Sequence, residues 1–484
     1  MTESKKFAFD VGITFIASII SMLLGFVITV LLGRYLGAED LGLYRMVSTI
    51  QTIAMLFAAV GIPAATIKYV AEYKDDRNKT NSIVSSGVIT SLLLGIVFSV
   101  FFYFSSGVFE EIFKMPGLSG LLKILSPIFP FALVGGVLLG FLNGLREIKK
   151  YGTATIIQSV LMLVVSVLLI FLGFGVAGVV IGVVLASMGW CLYLLLITKD
   201  YFDITFEGYS SNTKKMLVFG SQIFAGNAIN LINYQADIIM IGYFLTATDV
   251  GYYAVAVGLS KFFWVIPQAV QTITYPATSE YWGKNNHSAL QSMIDKSMRY
   301  TTCALFPIGL GVVFFANEII TLIYGDVFVY SVLPLQILVV GTVIYGIAGK
   351  AIGGSTSAIG RPDINLKVIF ISAFVNIILN LLLIPRFGII GAAIATAVSW
   401  CIVSVLFTIW CIKLFSLKID IKWYRSVSVS VFLSMVFFYV GQLFVEKYII
   451  GFFILFSLTI LIYYLFLNNE DRKFIISLIK IKTL

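Results

Sequence analysis

Long apolar runs, each separated from the next by a short polar stretch, organise this chain from end to end. A bilayer's hydrocarbon core is about 30 Å thick and takes roughly 20 residues of helix to cross. Runs of that length lie near 9–32, 43–66, 82–104, 121–144, 153–172, 175–197, 216–244, 250–276, 299–316, 331–358, 367–385, 389–412, 426–445 and 449–467. They predict an all-α polytopic membrane protein with about fourteen transmembrane helices.

Composition sharpens this. The 484 residues are 59% apolar and 12% charged, with a mean hydropathy of +1.00, against about 25% charged in ordinary soluble domains. A soluble enzyme is excluded. One histidine, His287, and four scattered cysteines, none in C-x-x-C spacing, provide no zinc, haem or iron–sulfur ligand set. The cysteines lie in apolar runs, where a thiol acts as a small hydrophobe.

The net charge of +9 matters less than its distribution between the two sides, and no nucleic-acid partner is expected. With a cytoplasmic N-terminus, the inner segments carry twenty-five Lys and Arg, whereas the outer ones carry six: Arg34, Arg45, Lys114, Lys123, Arg386 and Lys447. The bias predicts an even number of crossings, both termini in the cytoplasm, and residence in the cell membrane. The first apolar run follows Lys5 and Lys6 and is too long for a cleaved leader, so it reads as an anchor. The tail 468–484 holds a run at 474–481 that fits a short amphipathic helix on the inner surface, or simply topology-fixing charge.

The chain also resembles itself. Gly33-Arg-Tyr-Leu-Gly-Ala-Glu-Asp-Leu-Gly-Leu-Tyr44 and Gly242-Tyr-Phe-Leu-Thr-Ala-Thr-Asp-Val-Gly-Tyr-Tyr253 match at six of twelve positions at an offset of 209. Phe174-Gly-Val-Ala-Gly178 and Phe387-Gly-Ile-Ile-Gly391 repeat at an offset of 213. An even count of six helices per copy predicts two parallel six-helix lobes, 1–199 and 200–412, related by an axis along the membrane normal. Residues 413–484 then supply two further helices and a cytoplasmic tail. Glycine and aspartate recur in these turns because a tight turn needs permissive backbone and side-chain-to-backbone bonds.

Two lysines, Lys261 and Lys350, fall inside helices, too deep to snorkel comfortably, and a charge there normally faces a cavity or a partner. Lys261, Trp264, Gln268, Gln271 and Tyr275 follow at steps of three and four, which places them on one helical face. That set is too bulky and too polar for a tight helix seam, and a wet cavity is the expectation. Pro267 in the same helix predicts a bend. Asn227, Asn230, Tyr234 and Asp237 make a second stripe, in which Asp237 is a candidate for Na⁺ or H⁺ coupling or a counter-charge for Lys261. Thr14, Ser18 and Ser21 read instead as the polar glue of a helix seam.

These residues resemble a known family. The Gly33 to Tyr44 turn, the stretch from Asp237 through Gly242 to Tyr253, and above all Asn376-Ile-Ile-Leu-Asn380-Leu-Leu-Leu-Ile-Pro385-Arg-Phe-Gly388-Ile-Ile-Gly391-Ala-Ala-Ile-Ala-Thr396 are similar to the polysaccharide-transporter branch of the multidrug/oligosaccharidyl-lipid/polysaccharide exporter superfamily. The resemblance covers about residues 5–470. It implies two six-helix lobes in a V plus two added helices, and a flippase that carries lipid-pyrophosphate-linked oligosaccharides from the inner to the outer leaflet. The sister lipid II flippases carry arginines in their first helix. Ser21-Met-Leu-Leu-Gly-Phe-Val-Ile28 has none, which implies a polysaccharide repeat unit as cargo.

On this reading Lys261 and Lys350 hold the pyrophosphate, Trp264 and Tyr275 stack on sugar rings, and Gln268 and Gln271 bond hydroxyls, with Asn230 and Tyr234 lining the same cavity. No cofactor is expected, and glycosyltransferases or a glycan polymerase are the expected protein partners. A cation-coupled multidrug exporter is the nearest alternative, but two cavity lysines disfavour a cationic cargo. A membrane enzyme acting on lipid-linked glycans is less favoured, because the longest outer loop, about 105–120, offers only Glu110, Glu111 and Lys114.

Overall fold

The computed structural model describes residues 3–462, and among them every regular element is a helix. In chain order these are α1 Glu3–Ala59, α2 Ile62–Glu72, α3 Arg77–Phe113, α4 Leu118–Leu125, α5 Ile128–Gly144, α6 Ile148–Phe171, α7 Gly175–Thr198, α8 Tyr209–Phe244 and α9 Ala247–Ser260. There follow α10 Val265–Gly283, α11 His287–Phe314, α12 Ala316–Tyr324, α13 Val332–Ile344, α14 Ala351–Ala358, α15 Pro362–Phe415, α16 Ile421–Gly441 and α17 Lys447–Leu461. The run at 474–481 lies outside the described residues.

Among the described residues nine helices are long and apolar enough to cross a membrane, and a tenth span results if the bent pair α4 and α5, at 46°, counts as one. This is a multi-pass membrane protein. Two of those helices cannot be single crossings. At 1.5 Å per residue, the 57 residues of α1 would run about 85 Å, nearly three times the hydrocarbon thickness. Each is two helices joined at a glycine whose backbone other residues rarely adopt: Gly37 at φ 89°, ψ −174° in α1, and Gly388 at φ 59°, ψ −139° in α15. The second repeat uses another device where the first has Gly37. Thr246 stands there, and the Asp249 carboxylate accepts from the Thr246 amide at 3.1 Å and its hydroxyl at 2.7 Å. The repeated aspartate thus serves as a cap at the start of α9.

Packing divides the chain into two compact units, 1–255 with 380–392, and 256–379 with 393–484. In the first, Ile62, Ile83, Val137, Leu138, Phe141, Trp190 and Leu194 form a buried cluster among α2, α3, α5 and α7. The outward side of α3 is apolar as well: Leu93, Val97, Phe101 and Phe104 recur at steps of four, four and three, and Phe104 is 79% exposed. Such a stripe belongs in lipid. Ser159 donates to Ser21 at 2.8 Å and ties α6 to α1, whereas Thr14 and Ser18 donate to carbonyls of their own helix, at Asp10 and Thr14.

In the second unit, Ile364, Val368, Val403 and Phe407 form a core. The added helices are pinned there at both ends. Arg299 of α11 pairs with Asp420, the cap of α16, at 3.0 Å, and Lys447 at the start of α17 donates to both oxygens of Glu318 at 2.6 and 2.9 Å. Between them Phe314 and Phe438 stack at 3.8 Å.

Candidate functional site

Both lysines singled out by depth sit where helix geometry breaks. Lys261 opens a 3₁₀ stretch, Lys261–Trp264, between α9 and α10, and Lys350 ends a π-helical stretch, Tyr345–Lys350, between α13 and α14. Pro267 follows shortly after the first break, where its missing N–H and its ring disfavour a continuous α-helix. In a 3₁₀ turn residues three apart eclipse each other, so Lys261 and Trp264 stack in line. The two irregular stretches pack against each other within the second unit, and π-turns inside helices recur at functional positions.

Aromatic rings brace the same place. Trp264 meets Tyr345 at 6.3 Å and Trp400 at 5.8 Å, and Tyr345 stacks on Trp400 at 5.9 Å. Trp264 is therefore half-buried in a three-ring cluster, and its ring is in part committed to packing. Lys350 forms no hydrogen bond or ion pair among the described residues, and both lysines are half-buried.

One, two and three turns beyond Trp264 along α10, Gln268 is exposed, Gln271 half-buried and Tyr275 exposed. Gln271 and Tyr275 lie over Gly354 of α14. A Cβ there would fall 2.7 Å from Gln271 Nε2 and 3.3 Å from the Tyr275 ring, so the glycine makes room for both. Thr274, on the same side of α10, reaches the Ala351 carbonyl at 3.4 Å and joins α10 to α14.

The residues of the α8 stripe belong to the first unit. Asn230 is half-buried and donates to the Gly226 carbonyl at 3.0 Å, and Tyr234 is half-buried. Asp237 is 6% exposed and accepts two bonds of 2.7 Å, from the Tyr253 hydroxyl and from Asn380 Nδ2. Both partners escaped the sequence reading, although Tyr253 closes the repeated turn and Asn380 lies in the motif that carries the family resemblance.

The repeated turns meet each other. A Cβ on Gly42 would lie 1.7 Å from the Ala247 carbonyl oxygen, and one on Gly251 would lie 1.9 Å from the Ala38 oxygen. At the offset of 209, Ala38 corresponds to Ala247 and Gly42 to Gly251. Equivalent Ala-x₃-Gly segments thus cross reciprocally in backbone contact, a small-residue crossing of the kind that lets helices approach closely in lipid.

The fold is all-helical and multi-pass, with two lysines on mutually packed helix breaks, and the family and relatives that follow make it a membrane transporter. Residues 31–333 match the family described as polysaccharide biosynthesis protein, and the chain belongs to that family, within the polysaccharide-transporter branch of the superfamily named above. An uncharacterized membrane protein of Methanocaldococcus jannaschii is 25% identical over 84% of this chain and 85% of its own length. A probable low-salt glycan biosynthesis flippase of Haloferax volcanii is 34% identical over 35% of this chain and 36% of its own. Among solved structures, the lipid II flippase MurJ in an inward closed conformation matches with a TM-score of 0.75 at 17% identity, covering 93% of this chain and 98% of that one. The fold is shared with it.

Proposed function

We propose that this protein is a flippase that carries a lipid-pyrophosphate-linked oligosaccharide from the cytoplasmic to the outer leaflet of the cell membrane. The observation that carries the reading is the convergence of Lys261 and Lys350 on two mutually packed helix breaks. Beside them, on α10, stand glutamines and a tyrosine suited to sugar hydroxyls and ring faces. Ammonium groups at half-buried, polar positions bind a pyrophosphate through hydrated point charges, which permits release. The family assignment and the flippase named among the relatives support the same cargo class.

The helix breaks at Gly37 and Gly388 support fourteen crossings with both termini inside. The reciprocal contact of the repeated turns supports two parallel lobes, 1–199 and 200–412, with 413–484 added. That crossing is then the closed outer gate, which parts as the transporter turns outward. Asp237, with its two donors, is the candidate for H⁺ or Na⁺ coupling, and glycosyltransferases or a glycan polymerase are the partners that supply and consume the cargo.

The test is export complementation in cells lacking their own flippase. Lys261→Gln with Lys350→Gln should retain expression and lose export, with Lys261→Arg milder. Normal export by the double variant would remove the lysines from cargo binding.

A further inference from the structure

The first unit holds a cation that the sequence reading counted among the outer-loop charges. The structure begins the second half of α1 at Ala38, directly after the Gly37 break, which leaves Arg45 two turns inside the helix, about 10 Å along its axis. Its Nε is sealed from solvent and has no hydrogen-bond partner among the described residues, and no ion pair among them involves its guanidinium. The side chain as a whole is half-buried, and a cation inside a membrane helix with no ion pair normally faces a cavity or a ligand. Arg45 thus offers an Nε–H donor that no described residue accepts.

Its surroundings favour an anion. Ser48, Thr49 and Thr52 follow Arg45 at i+3, i+4 and i+7, on the same helical face. The Thr49 hydroxyl donates to Gln235 Oε1 of α8 at 3.4 Å, which leaves the Gln235 amide nitrogen to donate, with no bond of its own among the described residues. The Asp237 carboxylate, two residues further along α8, is already engaged by Tyr253 and Asn380. The Ser48 and Thr52 hydroxyls donate to the Arg45 and Ser48 carbonyls, so the free donors are the forked guanidinium and the Gln235 amide N–H, a pair suited to an oxyanion.

We infer that Arg45 and Gln235 form an oxyanion-binding subsite for the cargo, taking either a phosphoryl group of the lipid pyrophosphate or a sugar carboxylate. Arg suits both, because its planar fork meets two oxygens at once. The inference rests on the flippase reading and adds to it a contact in the first unit, separate from Lys261 and Lys350.

The test uses the full-length protein in nanodiscs with three probes: a polyprenyl pyrophosphate, a prenol-linked glucuronate and the neutral prenol. Wild type, Arg45→Gln, Arg45→Lys and Gln235→Ala are compared by equilibrium binding, with thermal melting to establish folding. Arg45→Gln should weaken one charged probe tenfold or more, Arg45→Lys less, Gln235→Ala measurably, and binding of the neutral prenol should not change. The probe that loses affinity identifies the oxyanion's source. Should Arg45→Gln not fold, Arg45→Lys and Gln235→Ala read the same subsite. Wild-type affinity for both charged probes in the folded variants overturns the subsite and leaves the flippase reading standing. A wild-type protein that binds neither charged probe overturns both.

Discussion

Gly42 is the sharpest place to perturb the transport cycle. A methyl added there would sit 1.7 Å from the Ala247 oxygen and 2.9 Å from the Gly251 nitrogen. Carbon and carbonyl oxygen tolerate about 3.3 Å, so Gly42→Ala must push the crossing apart by about 1.5 Å, and Gly42→Leu by more. Both obstacles are backbone, which cannot rotate away as a side chain would. Overpacking of this kind costs about 1–3 kcal/mol. If the crossing is the closed outer gate, that cost falls on the closed state alone and shifts the gating equilibrium roughly 5- to 150-fold toward opening. The assay places a cysteine reporter at Ala38, which is 5% exposed in the closed crossing, and measures its labelling from outside by an impermeant maleimide, with glycan export in parallel. Gly42→Leu should raise labelling and reduce export at normal expression, and Gly251→Leu should do the same, because its Cβ would meet the Ala38 oxygen at 1.9 Å. Unchanged labelling together with unchanged export would refute the gate.

Asp237→Ala leaves Tyr253 and Asn380 without their common acceptor, and at about 1.5–3 kcal/mol for a bond to a charged group it should lower the melting temperature by several degrees, whereas Asp237→Asn should cost less; equal melting of both variants and wild type would contradict the buried triad. The Arg361 guanidinium beside Asp363 holds its carboxyl below the usual carboxylate range. Its stabilising contribution is therefore present at neutral pH and is lost as the pH falls through that depressed value, so melting curves of wild type and Asp363→Asn should differ most near pH 7 and converge in acid, below about pH 4. A topology reporter fused after Leu467 should read as cytoplasmic, and an outer-side signal there would reject an even number of crossings.

The sequence by itself determined the class of the protein. Apolar runs of bilayer length, a charge deficit and a turn repeated at an offset of 209 are local signals, and lipid makes them decisive: a backbone in hydrocarbon must satisfy its own hydrogen bonds, so each long apolar run has to be a helix. Lys261 and Lys350 were legible for the same reason, since a charge in an apolar run has no inexpensive explanation. The path of the chain within its long helices was decided by tertiary structure. Periodicity placed Arg45 at a helix end, and only the backbone at Gly37 moved that end back to Ala38 and drew the arginine inward. Nor could spacing show that Lys261 and Lys350 lie on 3₁₀ and π stretches, that Trp264 is held by Tyr345 and Trp400, or that Asp237 is bonded to Tyr253 and to Asn380, 143 residues away. The repeat was visible as a likeness between two turns. That the two copies touch, Gly42 on Ala247 and Gly251 on Ala38, is a fact of close approach between backbones, and a glycine in a sequence shows only that such an approach is permitted, not what comes to fill the space.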